Sequence, residues 1–336
     1  MTAKVGVVGA GAWGTALAQA LSSDGSEVMI WAREPELVEE INSERTNSLF
    51  LPSAQLSETV RATGNLADLS GIEVLLLVVP AQFLAGVIGQ LPCQVSGAPS
   101  DLVLCAKGIE AGTGRLMSDV AADCAPDASL AVLSGPTFAH EVAAGLPTAV
   151  TLACSGGAEQ WRRLAPMLAR PCLRPYHSDD VVGAEVGGAV KNVLAIACGV
   201  VDGLELGQNA RAATIARGYA EMLRFGIALG AQRETLAGLC GLGDLVLTCS
   251  SESSRNFSLG RALGQGMTGQ EALAGKNSVA EGAATAPVLA ELAARHGVDM
   301  PIVDAVCRLL AGDMPAREIV ADLLSRPLSS EQELDA

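Results

Sequence analysis

The sequence predicts an α/β domain with a mostly parallel, doubly wound sheet, followed by an all-helical domain. Strand-like and helix-like segments alternate through the first half of the chain, a spacing typical of parallel sheets covered by helices. The strand-like segments are apolar without polar alternation, as in strands buried on both faces. After about Tyr176 the strand signal stops. We therefore expect a dinucleotide-binding α/β domain over residues 1–180, a helical domain over 181–327 and a frayed tail over 328–336.

Short runs rich in β-branched residues or leucine mark the strands, and 3.6-residue periodicity marks the helices between them. The predicted strands are Val5–Val8, Glu27–Ala32, Val60–Thr63, Glu73–Val79, Leu102–Ala106, Leu130–Leu133 and Ala149–Ala153. The predicted helices of this half are Trp13–Ser23, Pro35–Asn42, Ala81–Leu91, Leu116–Cys124 and Ala158–Ala169.

Helix boundary signals dominate the second half. Ser178, Asp179 and Asp180 predict the start of a long helix that reaches about Val201, because a capping serine and acidic residues favour a helix N-terminus. Proline at the start and glycine or proline past the end mark further helices. These cover Pro287–His296, Pro301–Ala311 and Pro315–Ser325.

Composition excludes several classes of protein. The chain has 336 residues, of which 49% are apolar, and a formal net charge of −15. The apolar fraction excludes a disordered chain, and the acidity argues against nucleic acid or an anionic membrane as a partner. No apolar run approaches the roughly 20 residues that cross a bilayer. The N-terminus lacks a signal-peptide layout, so we expect a cytoplasmic protein.

Cysteine and histidine spacing predicts neither a disulfide framework nor a metal site. The nine cysteines include no Cys-x-x-Cys pair, and the three histidines show no metal-ligand spacing. Most of the cysteines lie inside apolar runs and are interpreted as small core residues.

A Gly-x-Gly-x-x-Gly motif follows the first predicted strand directly and opens a helix, which is the context that a dinucleotide site requires. Gly9 allows the tight turn, Gly11 lets the backbone approach a pyrophosphate, and Gly14 lets the helix pack on the strand. The helix N-terminus faces the phosphates. The alternative is a glycine turn without a ligand. The motif in this context predicts a Rossmann-type dinucleotide site.

Arg33 stands just past the second predicted strand, where a site for NAD usually has Asp or Glu to bind the ribose 2′-hydroxyl. Arginine suits the 2′-phosphate of NADP instead. Glu34 follows it directly. We therefore expect NADP(H) to be preferred and NAD(H) to be accepted as well.

Lys191 is one of only four lysines and the only charged residue between Val186 and Val201. The surrounding helix is apolar or small nearly all round, which predicts burial and lets a planar ligand or another backbone approach closely. A buried ammonium is costly unless it is paired or has a lowered pKa. The alternatives are a snorkelling lysine, a structural ion pair, and a proton donor and acceptor beside a cofactor. Asn192 is a candidate for holding a substrate hydroxyl or carbonyl.

Two segments after predicted strands are candidates for binding anions. Lys107 stands just past a strand's carboxyl end, the edge where open α/β sheets bind ligands. Gly135 and Thr137 follow the next strand in a Gly-Pro turn that leads into a helix start. For this second segment, a capped helix without a ligand is the alternative.

A third cluster lies in the helical half. Asp244 and Thr248 are four residues apart and share one face if the segment is helical. Ser254, Arg255 and Asn256 then supply a hydroxyl, a guanidinium and an amide, which together suit a small phosphate. The alternative is an isolated loop cluster on the surface that binds no ligand.

Taken together, these motifs resemble the bacterial type of NAD(P)-dependent glycerol-3-phosphate dehydrogenase. The resemblance runs, from residue 5 to about 310, through GAGAWGTALA, LCAKGIE, LSGPTFAHEV, GAVKNVLAIACGVVDGL, GLGDLVLTC, SSRN and VAEGAAT. It implies a Rossmann domain, a helical substrate domain and the reversible reduction of dihydroxyacetone phosphate to sn-glycerol 3-phosphate. It also implies a supply of glycerophospholipid precursor and a homodimer.

The resemblance also assigns roles by motif position. It makes Lys191 the proton donor and acceptor, with Lys107 and Asp244 beside it in the catalytic set. It implies cofactor contacts at Gly9, Gly11, Ala12, Trp13, Gly14, Arg33, Lys107, Ala139, Arg255, Val279 and Glu281. Together with the candidates identified above, it gives predicted substrate contacts at Lys107, Gly135, Thr137, Lys191, Asn192, Asp244, Thr248, Ser254, Arg255 and Asn256.

Two other functions remain open from the sequence alone. One is another Rossmann-type, NADP-dependent reductase acting on a hydroxy or keto acid, and the other is a non-catalytic NADP(H) sensor. Arg255, Asn256 and Lys107 favour a phosphate over a lone carboxylate, and the set of Lys107, Lys191 and Asp244 argues against a sensor.

Overall fold

The strands form one sheet in the order β3-β2-β1-β4-β5-β6-β7-β8 within residues 4–91, 101–274 and 280–326, which the computed structural model describes. They are β1 Val5–Val8, β2 Val28–Trp31, β3 Val60–Thr63, β4 Val74–Leu77, β5 Asp101–Leu104, β6 Ser129–Ser134, β7 Thr148–Cys154 and β8 Leu173–Ser178. Neighbouring strands pair in parallel apart from the antiparallel pair β6-β7. The predicted mostly parallel, doubly wound sheet is confirmed.

The sheet is apolar because both of its faces are covered. Every residue of β1, β4 and β5 is buried, as their runs rich in Val and Leu predict. The chain runs from β1 outward to β2 and β3, then returns to β4 on the other side of β1. This reversal of strand order is where open α/β sheets bind ligands at the carboxyl ends of their strands.

The chain divides into two units, and the sheet lies in the first, Met1–Ala106 with Leu116–Val181. The helices of this unit are α1 Ala12–Leu21, α2 Pro35–Ser43, α3 Leu84–Ile88, α4 Met117–Cys124, α5 Ala139–Ala143 and α6 Gly157–Leu168. The predicted helix Ala81–Leu91 is a short 3-10 turn, Ala81–Phe83, followed by α3.

Strand β8 was absent from the predicted elements. Arg174, Pro175 and His177 interrupt its apolar pattern, and much of the strand is exposed. It lies at the edge of the sheet, where one side of the strand has no ladder partner and proline is tolerated.

The second unit, Lys107–Arg115 with Val182–Ala336, is helical within its described residues. Its helices are α7 Val181–Gly203, α8 Gly207–Ala228, α9 Arg233–Leu236, α10 Asp244–Cys249, α11 Arg255–Gly264, α12 Gly269–Leu273, α13 Glu281–Arg295, α14 Pro301–Ala311 and α15 Ala316–Leu324. The prediction of a helix start at Pro287 is wrong, because α13 begins at Glu281 and contains that proline. The predicted tail 328–336 lies outside the described residues.

Helix α7 forms the centre of the second unit and is buried from Gly183 to Val201 except at Ala197. By length and composition it is the one described helix that could cross a membrane, contrary to the prediction that no apolar segment approaches that length. However, 83% of its most apolar window is buried inside the protein, as in the core helix of a globular domain.

Candidate active site

A single buried carboxylate joins two lysines in the second unit. Asp244 Oδ1 lies 2.5 Å from Lys191 Nζ, and Asp244 Oδ2 lies 3.0 Å from Lys107 Nζ. The Asp244 side chain is wholly buried, and the lysine side chains are only 7% and 15% exposed. Two of the four lysines of this chain therefore contact one carboxylate. The formal charge of the three groups is +1 when both lysines are protonated.

The local folds of three segments place these groups. Lys191 lies midway along α7, Asp244 is the first residue of α10, and Lys107 belongs to the segment Lys107–Arg115 of the second unit. One turn along α10, Thr248 accepts a hydrogen bond from Lys191 Nζ at 3.0 Å and donates one to Asp244 Oδ1 at 3.2 Å. The segment is helical as the prediction required, so Asp244 and Thr248 share one face.

The pKa values of the two buried lysines shift in opposite directions. Burial lowers the pKa of Lys191 to about 8, with the Lys107 charge acting in the same direction and Asp244 opposing both. Burial also acts to lower the pKa of Lys107, but the charge and hydrogen bond of Asp244 outweigh it and raise that pKa above its ordinary value. Lys107 therefore stays an ammonium, whereas Lys191 exchanges its proton near neutral pH.

Glu281, at the start of α13, adds a second carboxyl to the electrostatics of the cluster. Burial raises the pKa of Glu281, while the charges of Arg255, Lys107 and Lys191 act to lower it. Glu281 is therefore electrostatically coupled to Arg255 and to both lysines.

Two amides connect α7, α11 and α13. Asn256 Nδ2 donates to Asn192 Oδ1 at 3.0 Å, and Asn256 Oδ1 accepts from the Gly282 N–H at 3.0 Å. Asn192 and Asn256 are only 5% and 7% exposed. These bonds explain why α13 begins before its proline: its first turn is already held by Asn256.

The helix that carries Arg255 begins at a capping serine. Ser254 is buried, and its Oγ accepts a hydrogen bond from the Phe257 N–H at 3.2 Å. Arg255 is exposed and Asn256 buried in the first turn that follows. The cluster is therefore built into the end of a helix, in contrast to the alternative of an isolated surface loop.

Glycines let the backbones of α7 and α11 touch. A Cβ at Gly199 would lie 2.0 Å from the Phe257 carbonyl oxygen, and one at Gly260 would lie 1.9 Å from that of Ile196. No side chain fits at either position. The prediction that small residues on α7 admit another backbone is therefore satisfied by α11, whose first turn carries Arg255 and Asn256.

Two thiols were interpreted only as core residues. Cys198 lies two helical turns after Lys191, and Cys249 is the residue after Thr248. Both are fully buried, and they lie near enough for the Cys198 thiol to influence the pKa of Cys249. Burial and the Cys198 contact raise the pKa of Cys249 well above its ordinary value. Helical spacing from Lys191 and Asp244 was the signal that could have placed these thiols beside the lysine.

In the first unit, the glycine motif has the conformation that its sequence predicts. Gly9 has φ +116°, and a Cβ there would lie 2.7 Å from the Val78 carbonyl oxygen. A Cβ at Gly14 would lie 1.9 Å from the Gly9 oxygen, whereas one at Gly11 would have no atom of another residue nearby. The turn is thus tight and the helix close-packed, with open space at Gly11, where a pyrophosphate needs access. These features fit a dinucleotide.

Helix α1 begins at Ala12, and Trp13 follows in its first turn. The indole Nε1 of Trp13 is buried and has no hydrogen-bond partner among the described residues. Arg33 lies past β2 with a side chain that is 77% exposed, and Val279 lies outside the described residues.

The loop after β6 contains the remaining predicted contacts of the first unit. Gly135 has φ +154°, and a Cβ there would lie 3.0 Å from Val150 Cα. The Thr137 hydroxyl donates to the Gly135 carbonyl at 3.2 Å, which closes the loop before α5 begins at Ala139. No group of three or more His, Cys, Asp or Glu residues that could hold a metal occurs in the part of the chain that the structure describes.

Two family models match the chain. The model for the N-terminus of NAD-dependent glycerol-3-phosphate dehydrogenase matches residues 4–159, and the model for the C-terminus matches residues 180–321. Both described units thus contain sequence of this family.

Among curated relatives, a "Glycerol-3-phosphate dehydrogenase [NAD(P)+]" of Novosphingobium aromaticivorans is 69% identical and covers 99% of this chain and 100% of its own. One of Erythrobacter litoralis with the same name is 68% identical over 100% of both chains. A crystal structure of glycerol-3-phosphate dehydrogenase from Coxiella burnetii is 40% identical, with a TM-score of 0.90 over 96% of this chain and 98% of its own. The chain belongs to the family of NAD-dependent glycerol-3-phosphate dehydrogenases.

Proposed function

We propose that the chain catalyses the reversible reduction of dihydroxyacetone phosphate to sn-glycerol 3-phosphate with NAD(P)H. The observation that carries this proposal is the buried carboxylate of Asp244, which holds Lys191 and Lys107 within 3.0 Å of it. In a chain of this family, that arrangement supplies a lysine poised to exchange a proton and a second lysine that stays charged.

The nicotinamide, when bound, supplies the hydride to the C2 carbonyl of the ketone. Lys191 donates a proton to the alkoxide oxygen that forms, and in the reverse direction it accepts the proton of the hydroxyl. Its pKa of about 8 places the proton transfer near neutral pH. Asp244 and Thr248 orient the ammonium through their two hydrogen bonds. Proton transfer from a positioned group is worth about 10²–10⁴ in rate.

Lys107 stabilises negative charge without exchanging its proton. Its pKa is raised, since Asp244 outweighs the burial that acts to lower it, so its ammonium persists where the ketone oxygen gains charge. The same charge lowers the pKa of Lys191. Lys107 thus acts on both the substrate and its partner lysine.

The substrate's phosphate is assigned to the first turn of α11. Arg255 supplies an exposed guanidinium there, and Asn256 is held in place by Asn192 and Gly282. A planar guanidinium binds two phosphate oxygens at once. The full substrate-contact set proposed is Lys107, Gly135, Thr137, Lys191, Asn192, Asp244, Thr248, Ser254, Arg255 and Asn256.

The glycine motif is proposed to hold the cofactor, with Arg33 favouring NADP(H) over NAD(H). The open space at Gly11 and the tight turn at Gly9 support this. The proposed cofactor contacts are Gly9, Gly11, Ala12, Trp13, Gly14, Arg33, Lys107, Ala139, Arg255, Val279 and Glu281. We assign residues 1–180 to cofactor binding and 181–327 to substrate binding and catalysis.

We further propose that the enzyme works in the cytoplasm as a homodimer and supplies glycerophospholipid synthesis. The family resemblance of the motifs supports these assignments. Light scattering of the purified protein tests the dimer, since a mass of twice 34.2 kDa is expected.

One assay tests the reaction. NADPH oxidation should proceed with dihydroxyacetone phosphate and fail with pyruvate-type ketones, which lack the phosphate for Arg255. Lys191→Met should bind NADPH and lose nearly all turnover, whereas Lys4→Met, at an exposed lysine paired with Glu73, should keep it. Near-normal turnover of Lys191→Met, or a preference for pyruvate, would refute the proposed reaction.

A further inference from the structure

The end of β2 carries an ion pair between Arg33, a proposed cofactor contact, and Glu34, to which the proposed reaction assigns no role. Arg33 donates from both Nε and Nη2 to one oxygen of Glu34, Oε1, at 3.1 and 2.8 Å. The Arg33 side chain is 77% exposed and that of Glu34 is 31% exposed. Exposed pairs of this kind are weakly bound. Arg33 therefore exchanges this partner readily for another anion.

This pair lies at the edge of the sheet where the glycine motif turns. The Gly9 N–H donates to the carbonyl of Trp31, the last residue of β2, at 3.0 Å. Arg33 and Glu34 follow Trp31 by two and three residues. In a Rossmann-type site, this edge takes the ribose that bears either a 2′-hydroxyl or a 2′-phosphate.

The Glu34 side chain does not cap the helix that follows it. Glu34 is the N-cap of α2, with extended backbone (φ −85°, ψ 115°), yet its side chain makes no capping hydrogen bond. Its carboxylate is turned to Arg33 instead. The geometry thus presents a carboxylate and a guanidinium side by side, one suited to a hydroxyl donor and the other to a phosphate.

We propose that Glu34 is a second determinant of cofactor selectivity, which binds the ribose 2′-hydroxyl of NAD(H) and releases Arg33 to the 2′-phosphate of NADP(H). The proposal rests on the proposed dinucleotide site. With NAD(H), the Arg33–Glu34 pair stays intact and the Glu34 carboxylate accepts the hydroxyl. With NADP(H), Arg33 leaves Glu34 and binds the 2′-phosphate. The Glu34 carboxylate repels this phosphate. The pair thereby lets one site accept both cofactors.

Direct binding measurements test this. Dissociation constants of NADPH and NADH, from nicotinamide fluorescence without substrate, are compared for the natural protein and Glu34→Gln. Glutamine keeps the size of the side chain and removes its charge. We expect NADPH to bind about 3- to 10-fold more tightly and NADH about 3-fold less tightly, an effect typical of exposed charges. Glu36→Gln removes the same charge two residues further on and should change both constants equally and slightly. An unchanged NADPH to NADH ratio in Glu34→Gln, or the same change in Glu36→Gln, overturns the proposal.

A double variant separates the two effects of Glu34. If Glu34 restrains Arg33, the gain in NADPH affinity from Glu34→Gln should shrink in an Arg33→Ala background. An equal gain in both backgrounds overturns the exchange of partners. Because binding is measured without substrate, failure of the natural protein to bind either nucleotide refutes the proposed function. Normal binding with an unaffected ratio refutes the role of Glu34 alone.

Discussion

Asp244 and Lys191 form a 2.5 Å ion pair in which the carboxylate is wholly buried and also contacts Lys107. One aspartate therefore neutralises half of the positive charge of two buried ammonium groups. The remaining positive charge is uncompensated within these three groups, which favours an anion at this place.

Asp244→Asn should keep the shape of the site and remove the carboxylate that joins the two lysines. Lys191 then loses the charge that raises its pKa, so the pKa of Lys191 falls below about 8. Turnover should fall by about 10²-fold or more, because the proton donor is misoriented and less often protonated. Steady-state kcat between pH 6 and 9 measures both effects. Full activity with an unshifted pH profile would contradict the role given to Asp244.

The two directions of the reaction should respond oppositely to pH. Reduction requires the Lys191 ammonium, so its rate should be high below a pKa of about 8 and fall as the pH rises through it. Oxidation requires the neutral amine and should rise over the same interval. Lys107→Met removes a charge that lowers the pKa of Lys191, so both midpoints should move to higher pH. A midpoint that stays in place in Lys107→Met would show that the titrating group is a different one.

Glu221, which has no part in the proposed reaction, should make stability depend on pH. It lies on α8, is 2% exposed, and accepts the N–H groups of Ile302 and Val303 at 2.8 and 3.3 Å. Burial outweighs these bonds and raises its pKa from 4.5 to about 8. The folded state therefore holds a proton that the unfolded state loses, and stability should fall between pH 4.5 and 8.

Denaturant unfolding at a series of pH values measures this effect. Between pH 5 and 8, Glu221→Gln should flatten the dependence by about 1 kcal/mol per pH unit. Glu318→Gln, at an exposed residue in the first turn of α15, serves as the control and should leave the curve unchanged. Parallel curves for the natural protein and Glu221→Gln would assign the pH dependence to other groups.

Gly260→Ala should separate α7 from α11. Its Cβ would lie 1.9 Å from the Ile196 carbonyl oxygen, so the two helix backbones must move apart. We expect a loss of about 2 kcal/mol in the free energy of unfolding and a raised KM for dihydroxyacetone phosphate, since α11 carries Arg255. Gly86→Ala, where an added Cβ meets nothing within 4 Å, is the matched control. A native-like KM in Gly260→Ala would show that α11 does not set the phosphate contacts.

The sequence predicted the sheet well because buried parallel strands leave a clear signal. Runs of Val and Leu identified β1, β4 and β5, which are buried on both faces. Strand β8 was missed for the opposite reason: an edge strand is half exposed, and its Arg174 and Pro175 look like a loop. The apolar pattern thus misses a strand that polar residues and a proline interrupt.

Tertiary contacts decided what the pattern left open. Pro287 looked like a helix start, but Asn256 binds the Gly282 N–H, and the helix begins before the proline. For the site, scarcity singled out Lys191, while its pairing with Asp244 across 53 residues of sequence required the structure. The sequence likewise showed Glu34 only as the residue after Arg33, whereas the structure shows that the two form an ion pair.

The buried thiols of Cys198 and Cys249 offer a way to measure how often the reactive centre of the protein becomes exposed to solvent. Both thiols are fully buried, and burial raises the pKa of Cys249, so a reagent in solution reaches neither sulfur while α7 and α10 stay packed. Alkylating reagents should modify the partly exposed Cys124, Cys172 and Cys307 first. The rate at which Cys198 or Cys249 is labelled later then measures how often α7 and α10, which hold Lys191 and Asp244, separate.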